Sequence, residues 1–262
     1  MQRYLPLPLL LIAACSAPDA PTSETGIRLL AVPAGAQAAG PRLSGGGDRP
    51  LVLSWMEPDG TGTTLRYAEL GDTGWAAPKP VVTGKDMFVN WADLPSVTPL
   101  GGDHWVAHWL EMAGSLTYAY HVVMAQSFDG GRTWSEPVKP HTDGTPTEHG
   151  FVSVYPFEGK VAAIWLDGRK TGGDHGDDHH SSGMTLRGAV IDTDNSLHDE
   201  QEIDDLICDC CQTDAAITAA GPVAVYRDRT AAEVRDIYVA RHVDGRWPGP
   251  GLKGRPGIRL CG

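Results

Sequence analysis

Two kinds of segment are missing from this sequence of 262 residues. No stretch shows the apolar period of an amphipathic helix, which argues against helical bundles and coiled coils. No apolar run reaches the roughly 20 residues that a membrane-spanning helix needs. Basic residues are also scarce, 21 against 33 acidic ones. The formal net charge of −12 argues against a nucleic acid partner and against an electrostatic patch for membrane surfaces.

Several common catalytic motifs are missing as well. The sequence shows no Ser-His-Asp pattern, no glycine-rich phosphate loop and no histidine pair at helical spacing. These absences argue against the familiar serine hydrolases, nucleotide-binding enzymes and helix-borne zinc proteases, and no cofactor is predicted. Glycine and proline, by contrast, are plentiful at 32 and 20 residues, as expected for a chain rich in turns.

The first residues predict export. Arg3 and the apolar residues 5–14 form a secretory signal, and residues 1–15 are assigned to it. The ending I-A-A-C resembles the lipobox of bacterial lipoproteins, which implies a lipid anchor on Cys15. Ser16 favours the outer membrane of the bacterial envelope. Residues 16–26 would form a polar tether, and the anchor would be the only membrane contact. The alternative is an ordinary signal peptide with a chance cysteine.

An internal repeat organises the rest of the chain. Four aromatic residues recur at similar spacing, each preceded by an apolar-alternating run and a small turn and followed two residues later by an acid. The aromatic residues are Trp55, Trp109, Trp165 and Tyr226, and the acids are Glu57, Glu111, Asp167 and Asp228. Two further strands follow in each copy. Four strands per copy predict an all-β protein, a β-propeller of four-stranded blades.

Residues 127–134, S-F-D-G-G-R-T-W, predict a tight hairpin turn in which Ser and Asp accept backbone hydrogen bonds. Ser127, Asp129, Gly131, Thr133 and Trp134 match the Asp-box, or BNR repeat, of sialidase-like β-propellers in the neuraminidase superfamily. The chain resembles that family, in which this turn is a folding element remote from the active site.

The resemblance implies six blades, whereas four copies are visible, over residues 27–250. Residues 251–262 form an atypical basic tail without strand alternation. We therefore expect a truncated or frame-shifted chain. A ring of four blades is the alternative.

The order of strands sorts the connections onto two faces. The face opposite the Asp-box carries the longer loops, and such loops usually carry function. They span residues 84–93, 141–149, 167–183, 204–211 and 227–235. In the family this is the active-site face, and the repeated acids are expected to ring its opening.

Candidate site residues follow from these loops. Asp93 is the candidate acid/base. The candidate substrate-binding residues are Trp91, Glu148, His149, Asp167, Arg169, Arg227, Asp228, Arg229 and Arg235. Arginine forks bind carboxylates in two-point contacts, which is how sialidases hold an acidic sugar. The alternative is that these acids and arginines pair with one another. The tyrosine nucleophile and the full arginine set of sialidases cannot be assigned in this sequence.

Two clusters invite a metal or redox interpretation. Residues 174–180 contain Asp and His but lack rigid ligand spacing, which favours a solvated loop, and no metal site is predicted. Cys208, Cys210 and Cys211 predict disulfides in an exported chain, with the pairing open, more readily than a thiolate metal site.

The predicted function is a sialidase-like glycoside hydrolase or glycan-binding protein, with a glycan or another small molecule as ligand. A non-catalytic binding or scaffold propeller is the alternative. A metal-dependent envelope protein is the third hypothesis.

Overall fold

The computed structural model describes residues 29–171 and 183–247. The signal peptide, Cys15, the tether to residue 26, the Asp/His run at 174–180 and the tail at 251–262 lie outside the described residues. Chain contacts divide the protein into two units, Met1–Ala31 and Val32–Gly262, and every strand belongs to the second. The described residues contain no helix, and therefore none long and apolar enough to cross a membrane.

The strands form four antiparallel sheets that follow the chain order and correspond to the four repeat copies. Sheet 1 contains β1 (Ala39–Gly46), β2 (Arg49–Asp59), β3 (Gly62–Gly71), β4 (Gly74–Trp75) and β5 (Lys79–Gly84). Sheet 2 contains β6 (Ser96–Gly101), β7 (His104–Met112) and β8 (Tyr120–Ser127). Sheet 3 contains β9 (His149–Phe157), β10 (Lys160–Asp167), β11 (Thr185–Ile191) and β12 (Leu197–Asp204). Sheet 4 contains β13 (Asp214–Thr218), β14 (Gly221–Arg227) and β15 (Ile237–Arg241). The predicted all-β propeller architecture is confirmed.

The hydrophobic core lies between consecutive sheets. One cluster joins sheets 1 and 2 through Tyr67 and Trp105, a second joins sheets 2 and 3 through Leu110 and Trp165, and a third joins sheets 3 and 4 through Leu166. Face-to-face packing of successive sheets is the arrangement of propeller blades. Burial of aromatic and branched side chains on both faces explains why these strands are nearly continuous apolar runs.

The repeated aromatic residue lies on the second strand of every sheet and is almost fully buried. Residues i and i+2 of a strand share a face, so the acid that follows can accept the indole N–H. Trp109 donates to Glu111 and Trp165 donates to Asp167, both at 2.8 Å. In these two copies the acid therefore has a structural partner within its own strand.

In the turn at residues 127–134, the Ser127 and Asp129 side chains accept hydrogen bonds from the turn's own hydroxyl and backbone N–H groups. The Gly131 amide donates to Ser127 Oγ at 2.9 Å, and the Thr133 hydroxyl donates to Asp129 Oδ2 at 2.6 Å. Gly131 has φ +79°, and a Cβ there would meet the Tyr67 hydroxyl at 2.5 Å, so glycine is required. Trp134 packs edge-on against Tyr67, which connects the turn to sheet 1.

The two ends of the sheets differ as the sequence predicts. Gly130 N–H donates to the Asp103 carbonyl in the β6–β7 hairpin, so this turn lies at the end that carries the short hairpins. The long connections lie at the other end, which we call the loop end. They include residues 85–95, 113–119, 139–148, 205–213 and 228–236. The candidate site is sought there.

Candidate functional site

The first strands of the four sheets, β1, β6, β9 and β13, line one cavity of about 1050 Å³. The charged residues that line it are Arg42 and Arg49, with the acids Asp48 and Asp214. Arg42 lies on β1, and its Nη1 donates to the Val152 carbonyl at 3.4 Å. Burial lowers the pKa of Arg42, whereas the nearby carboxylates of Asp214 and Asp93 raise it. A guanidinium remains charged under these conditions, so the cavity contains a positive charge that the loop analysis missed.

Three polar side chains meet at the loop end, next to this cavity. Tyr120 starts β8, Glu148 immediately precedes β9, and Asp93 lies in the connection before β6. The Tyr120 hydroxyl donates to Glu148 Oε1 at 2.6 Å and lies 3.4 Å from Asp93 Oδ2. Because both distances share one hydroxyl, the two carboxyl groups present oxygens within about 6 Å of each other. We call Asp93 and Glu148 the carboxyl pair.

A distortion of β9 makes room for the carboxyl pair. The pairing of β9 with β10 shifts register between Ile164 and Leu166, and Phe151 adopts φ +54°. Strand bulges are often found next to active sites. Non-glycine residues with a positive φ also cluster at functional sites. The Phe151 N–H donates to Asp93, and a Cβ on Gly150 would overlap the Asp93 carboxylate. The glycine is needed here for space.

Both members of the pair titrate far from their usual range. Burial raises the pKa of Asp93 to about 7, while the Phe151 amide opposes that rise and the charge of Glu148 adds to it. Burial also raises the pKa of Glu148 to about 7, against the hydrogen bond from Tyr120. Asp93 Oδ1 has no hydrogen-bond partner in the part of the chain that the structure describes, although Asp93 is only 1% exposed. Burial raises the pKa of Tyr120 well above its usual value, so its hydroxyl remains a donor.

The segment before Asp93 carries an aromatic surface. Phe88 stacks on the Tyr120 ring with centroids 4.3 Å apart. Trp91 is 93% exposed, and the adjacent backbone is held by a hydrogen bond from Ala92 N–H to Asn90 Oδ1 at 2.8 Å. An exposed indole two residues from a buried acid fits the predicted aromatic platform.

Asp167 and Arg169 form a closed ionic network rather than an open binding site. Arg169 binds Asp167 Oδ1 at 2.7 Å and Glu200 Oε1 at 2.7 Å, and it lies 3.4 Å from Asp143 Oδ1. Burial alone would raise the pKa of Asp167, yet the Arg169 hydrogen bond lowers it. His149 is fully buried, with Nε2 3.2 Å from Asp143 Oδ1.

His149 belongs to a group of three histidines that the sequence did not reveal. His121, on β8, and His141, in the 139–148 connection, lie close to it, and the His141 and His149 rings stack at 3.8 Å. One possible ligand atom from each of the three lies within 4.8 Å of the others.

The arginines near sheet 4 also have protein partners. Arg229 is buried against Glu233 Oε1 at 2.6 Å and Asp209 at 3.4 Å, and Arg235 binds Glu233 Oε2 at 3.0 Å. Arg227 is exposed and donates to Cys211 Sγ at 3.6 Å. Asp228 N–H donates to the Asp236 carbonyl.

The three described cysteines are free thiols in the connection between β12 and β13. Cys208 is buried, and its Sγ lies 2.9 Å from that of Cys211, while Cys210 is exposed. Burial would raise the pKa of Cys208, but hydrogen bonds from Cys211 and Arg235 lower it. Burial raises the pKa of Cys211 to about 11. A disulfide in this cluster remains a prediction.

The structure thus joins only some of the predicted residues. Asp93 and Glu148 meet, with Trp91 near them, whereas His149, Asp167 and Arg169 form a separate buried network. Arg227, Asp228, Arg229 and Arg235 cluster near the cysteines. Tyr120 and Arg42 were missed because the candidates were sought among loop residues, whereas both of these residues lie within strands.

Comparison with known proteins supports the fold. No protein-family model matches the chain, and no curated protein sequence is significantly similar to it. The α-L-arabinanase of Penicillium chrysogenum, solved with arabinobiose, is similar with a TM-score of 0.51 at 16% identity, over 80% of this chain and 61% of that chain.

Two further solved structures are similar at lower TM-scores. A thermostable family-43 glycoside hydrolase gives 0.47 at 12% identity, over 84% of this chain and 78% of that chain. The endosialidase of phage phi92 gives 0.47 at 9% identity, over 70% of this chain and 29% of that chain. The chain therefore spans less than two thirds of the arabinanase and endosialidase chains. At these identities the likeness concerns the fold alone.

Proposed function

We propose that this protein hydrolyses a glycosidic bond at the carboxyl pair, with Asp93 and Glu148 as the reacting acids. The observation that carries the proposal is the presence of two buried carboxyl groups, both with pKa values near 7, on either side of one tyrosine hydroxyl. Glycoside hydrolysis needs one carboxylic acid and one carboxylate near the scissile bond. The similar fold of an arabinanase is consistent with this reaction class.

The hydrogen bonds assign the two roles. The short bond from Tyr120 to Glu148 is of the kind that a carboxylate accepts, so Glu148 carries the negative charge. Asp93 then holds the proton, which it donates to the leaving oxygen as general acid. Glu148 stabilises or attacks the sugar carbon, and the close approach of the two carboxyl groups favours retention of configuration.

The carboxyl pair is buried, so a substrate can reach it only if the surrounding connection moves. Asp93 is 1% exposed and Glu148 is 6% exposed, so the connection that carries Trp91 and Asp93 has to shift for a sugar to reach them. Trp91 would stack on a sugar ring at the entrance. Arg42 supplies a positive charge that favours a ligand with a carboxylate, as in an acidic sugar.

The test is hydrolysis of fluorogenic glycosides by the purified chain. The panel contains a sialoside, an arabinofuranoside, a xyloside and a mannoside. We expect one of them to be turned over, and both Asp93→Asn and Glu148→Gln to lower kcat/KM by about 10²–10⁴-fold. Glu111→Gln is the matched control. Glu111 is the second-last residue of β7, at the loop end, and an amide oxygen can still accept the Trp109 indole N–H.

Loss of activity in the Glu111→Gln control alone, or equal activity in all variants, would contradict the role of the carboxyl pair. A non-catalytic glycan-binding module is the second candidate, and exposed Trp91 favours it. That candidate is supported if the protein binds an oligosaccharide without turnover and Trp91→Ala abolishes binding. Absence of both turnover and binding across the panel would reject both functions.

A further inference from the structure

The three histidines at the loop end lie apart from the carboxyl pair and have no assigned role. Their ring centroids are 5.0 Å apart for His121 and His141, 5.6 Å for His121 and His149, and 3.8 Å for His141 and His149. They come from β8, from the 139–148 connection and from β9, so the group joins sheet 2 to sheet 3. His141 and His149 are buried, and His121 is partly exposed.

Two ring nitrogens in this group are buried without a hydrogen-bond partner. His141 Nδ1 donates to Asp143 Oδ1 at 3.2 Å, which leaves Nε2 as a lone pair that meets no partner within residues 29–171 and 183–247. His121 Nδ1 is likewise unpartnered among those residues. Buried polar atoms are nearly always paired, so two unpartnered nitrogens in one group are typical of a binding site.

Hydrogen bonds to neighbouring groups orient two of the three histidine rings. Asp143 Oδ1 faces both His141 Nδ1 and His149 Nε2 at 3.2 Å, and His149 Nδ1 donates to the Thr147 carbonyl at 3.0 Å. Metal-ligating histidines characteristically donate their other N–H to a carboxylate or carbonyl in this way.

The free ring nitrogens suit a cation. Because the His141 Nδ1–H is donated to Asp143, the lone pair on Nε2 is available to a metal ion. Arg169 already neutralises Asp143 and Asp167, which makes the histidine side of the network the better place for an added ion.

We propose that His121, His141 and His149 bind one divalent transition-metal ion of the zinc class, supported by Asp143. Nitrogen ligands select this class over calcium or magnesium, which prefer oxygen. Three histidines leave one position for water. A bound ion lies in the plane of each ring, so the stacked rings of His141 and His149 must tilt when it enters.

The position of the site gives it a structural consequence. Side chains alternate along a strand, so His121 and His149 project to the side opposite their neighbours Tyr120 and Glu148. An ion held by both histidines would fix β8 against β9 directly behind the carboxyl pair. The proposal does not depend on glycoside hydrolysis.

The experiment uses the full chain after dialysis against a chelator. Titration calorimetry with Zn²⁺ is expected to show one ion per chain, and His121→Gln and His141→Gln should each weaken binding at least tenfold. His198→Gln is the matched control, since His198 is exposed on β12 near Asp192. A triple variant at His175, His179 and His180 should bind like the wild type.

Cobalt substitution distinguishes the ligands. Co²⁺ bound by histidine nitrogen gives visible bands without the near-ultraviolet charge transfer that thiolates produce, so charge transfer would assign the ion to the cysteines and overturn the proposal. Unchanged Zn²⁺ affinity in both histidine variants would overturn it as well, as would the absence of wild-type binding. Because His121 is partly exposed, its variant should remain folded, which circular dichroism checks.

Discussion

At one end of sheet 2 Asp129 is partly exposed, and at the other end Asp93 is buried. The Asp129 carboxylate accepts hydrogen bonds from the Ser127 and Thr133 hydroxyls and from the Arg132 and Thr133 amides. These bonds, that from the Thr133 hydroxyl first, lower the pKa of Asp129 to about 2. Burial raises the pKa of Asp93 to about 7. An aspartate surrounded by hydrogen-bond donors, such as Asp129, therefore stays ionised and stabilises a turn. A buried aspartate with few donors, such as Asp93, holds its proton up to a higher pH.

The comparison separates groups that support the fold from groups poised for chemistry. In the Asp129 turn both carboxylate oxygens accept hydrogen bonds from residues of the same eight-residue segment, and the Trp134 indole N–H is its one buried polar side-chain atom without a partner among the described residues. The loop end leaves Asp93 Oδ1, His121 Nδ1 and His141 Nε2 unpartnered among the described residues. Such groups cost stability in an otherwise well-packed protein. Three experiments test whether the two ends differ in this way.

The largest effect is expected from Gly150→Ala. The added Cβ would overlap the Asp93 carboxylate and lie 2.9 Å from the Tyr120 ring. We expect a loss of about 3 kcal/mol in the free energy of unfolding, together with loss of any hydrolytic activity. Chemical denaturation measures the stability.

Gly114→Ala is the control for that substitution. A Cβ there makes ordinary contacts of 3.7 Å with Ala119 and 3.8 Å with Pro146, so stability should stay within about 0.5 kcal/mol of wild type. Equal losses of unfolding free energy in the two variants would show that the close contact of residue 150 with Asp93 does not determine stability.

A smaller effect should appear in the pH dependence of stability. The pKa of Asp93 is higher in the folded than in the unfolded chain, so the folded state holds the proton more tightly. Its contribution is complete at acidic pH and is lost as the pH rises through about 7. Wild-type stability should fall by about 2–3 kcal/mol between about pH 4 and pH 8.

Asp93→Asn should flatten that slope, and the double variant with Glu148→Gln should flatten it further, since burial raises the pKa of Glu148 in the same direction. Urea unfolding at a series of pH values measures both. A slope that is unchanged in the double variant would mean that the two carboxyl groups ionise freely in the folded protein.

The smallest effect is expected at Asp129, with the opposite sign. Its pKa is depressed in the folded chain, so its contribution is present above its ordinary pKa of 3.8 and is lost as the pH falls towards 2. Asp129→Asn should lower the melting temperature by a few degrees at neutral pH and by less in acid. Because solvent screens this partly exposed carboxylate, the difference should be modest. An equal decrease at all pH values would point to lost geometry instead of lost charge.

Much of the fold could be predicted because its signals are local. The repeated aromatic residue, the small turns and the eight-residue turn at 127–134 each fit within one strand or hairpin, and they placed all four sheets. Asp93 and Glu148 were found because they lie at strand starts beside long loops. The same signal marks Tyr120 and His121 at the start of β8. Tyr120 is the residue that contacts the carboxyl pair, and His121 belongs to the group of three histidines.

The remaining features depend on contacts between distant segments. The use of Gly150 as space for Asp93 follows from the bulge at Phe151, which no residue pattern announces. His121, His141 and His149 meet only because β8 packs against β9 across two sheets. Arg169, Arg229 and Arg235 were expected to face a ligand, yet they have protein carboxylates as partners, an outcome that was the alternative from the start.

The alternation of Tyr120 with His121 and of Glu148 with His149 places two chemistries on a single pair of strand ends. Removing or adding one residue just before β9 would shift the alternation by one position. The imidazole would then face the side of the carboxyl pair, and the carboxyl would face the side of the histidine group. Substitutions can therefore tune each side separately, whereas changes in length alter both together. Divergence of this segment is expected to proceed by replacement of residues, and its length should resist insertion and deletion.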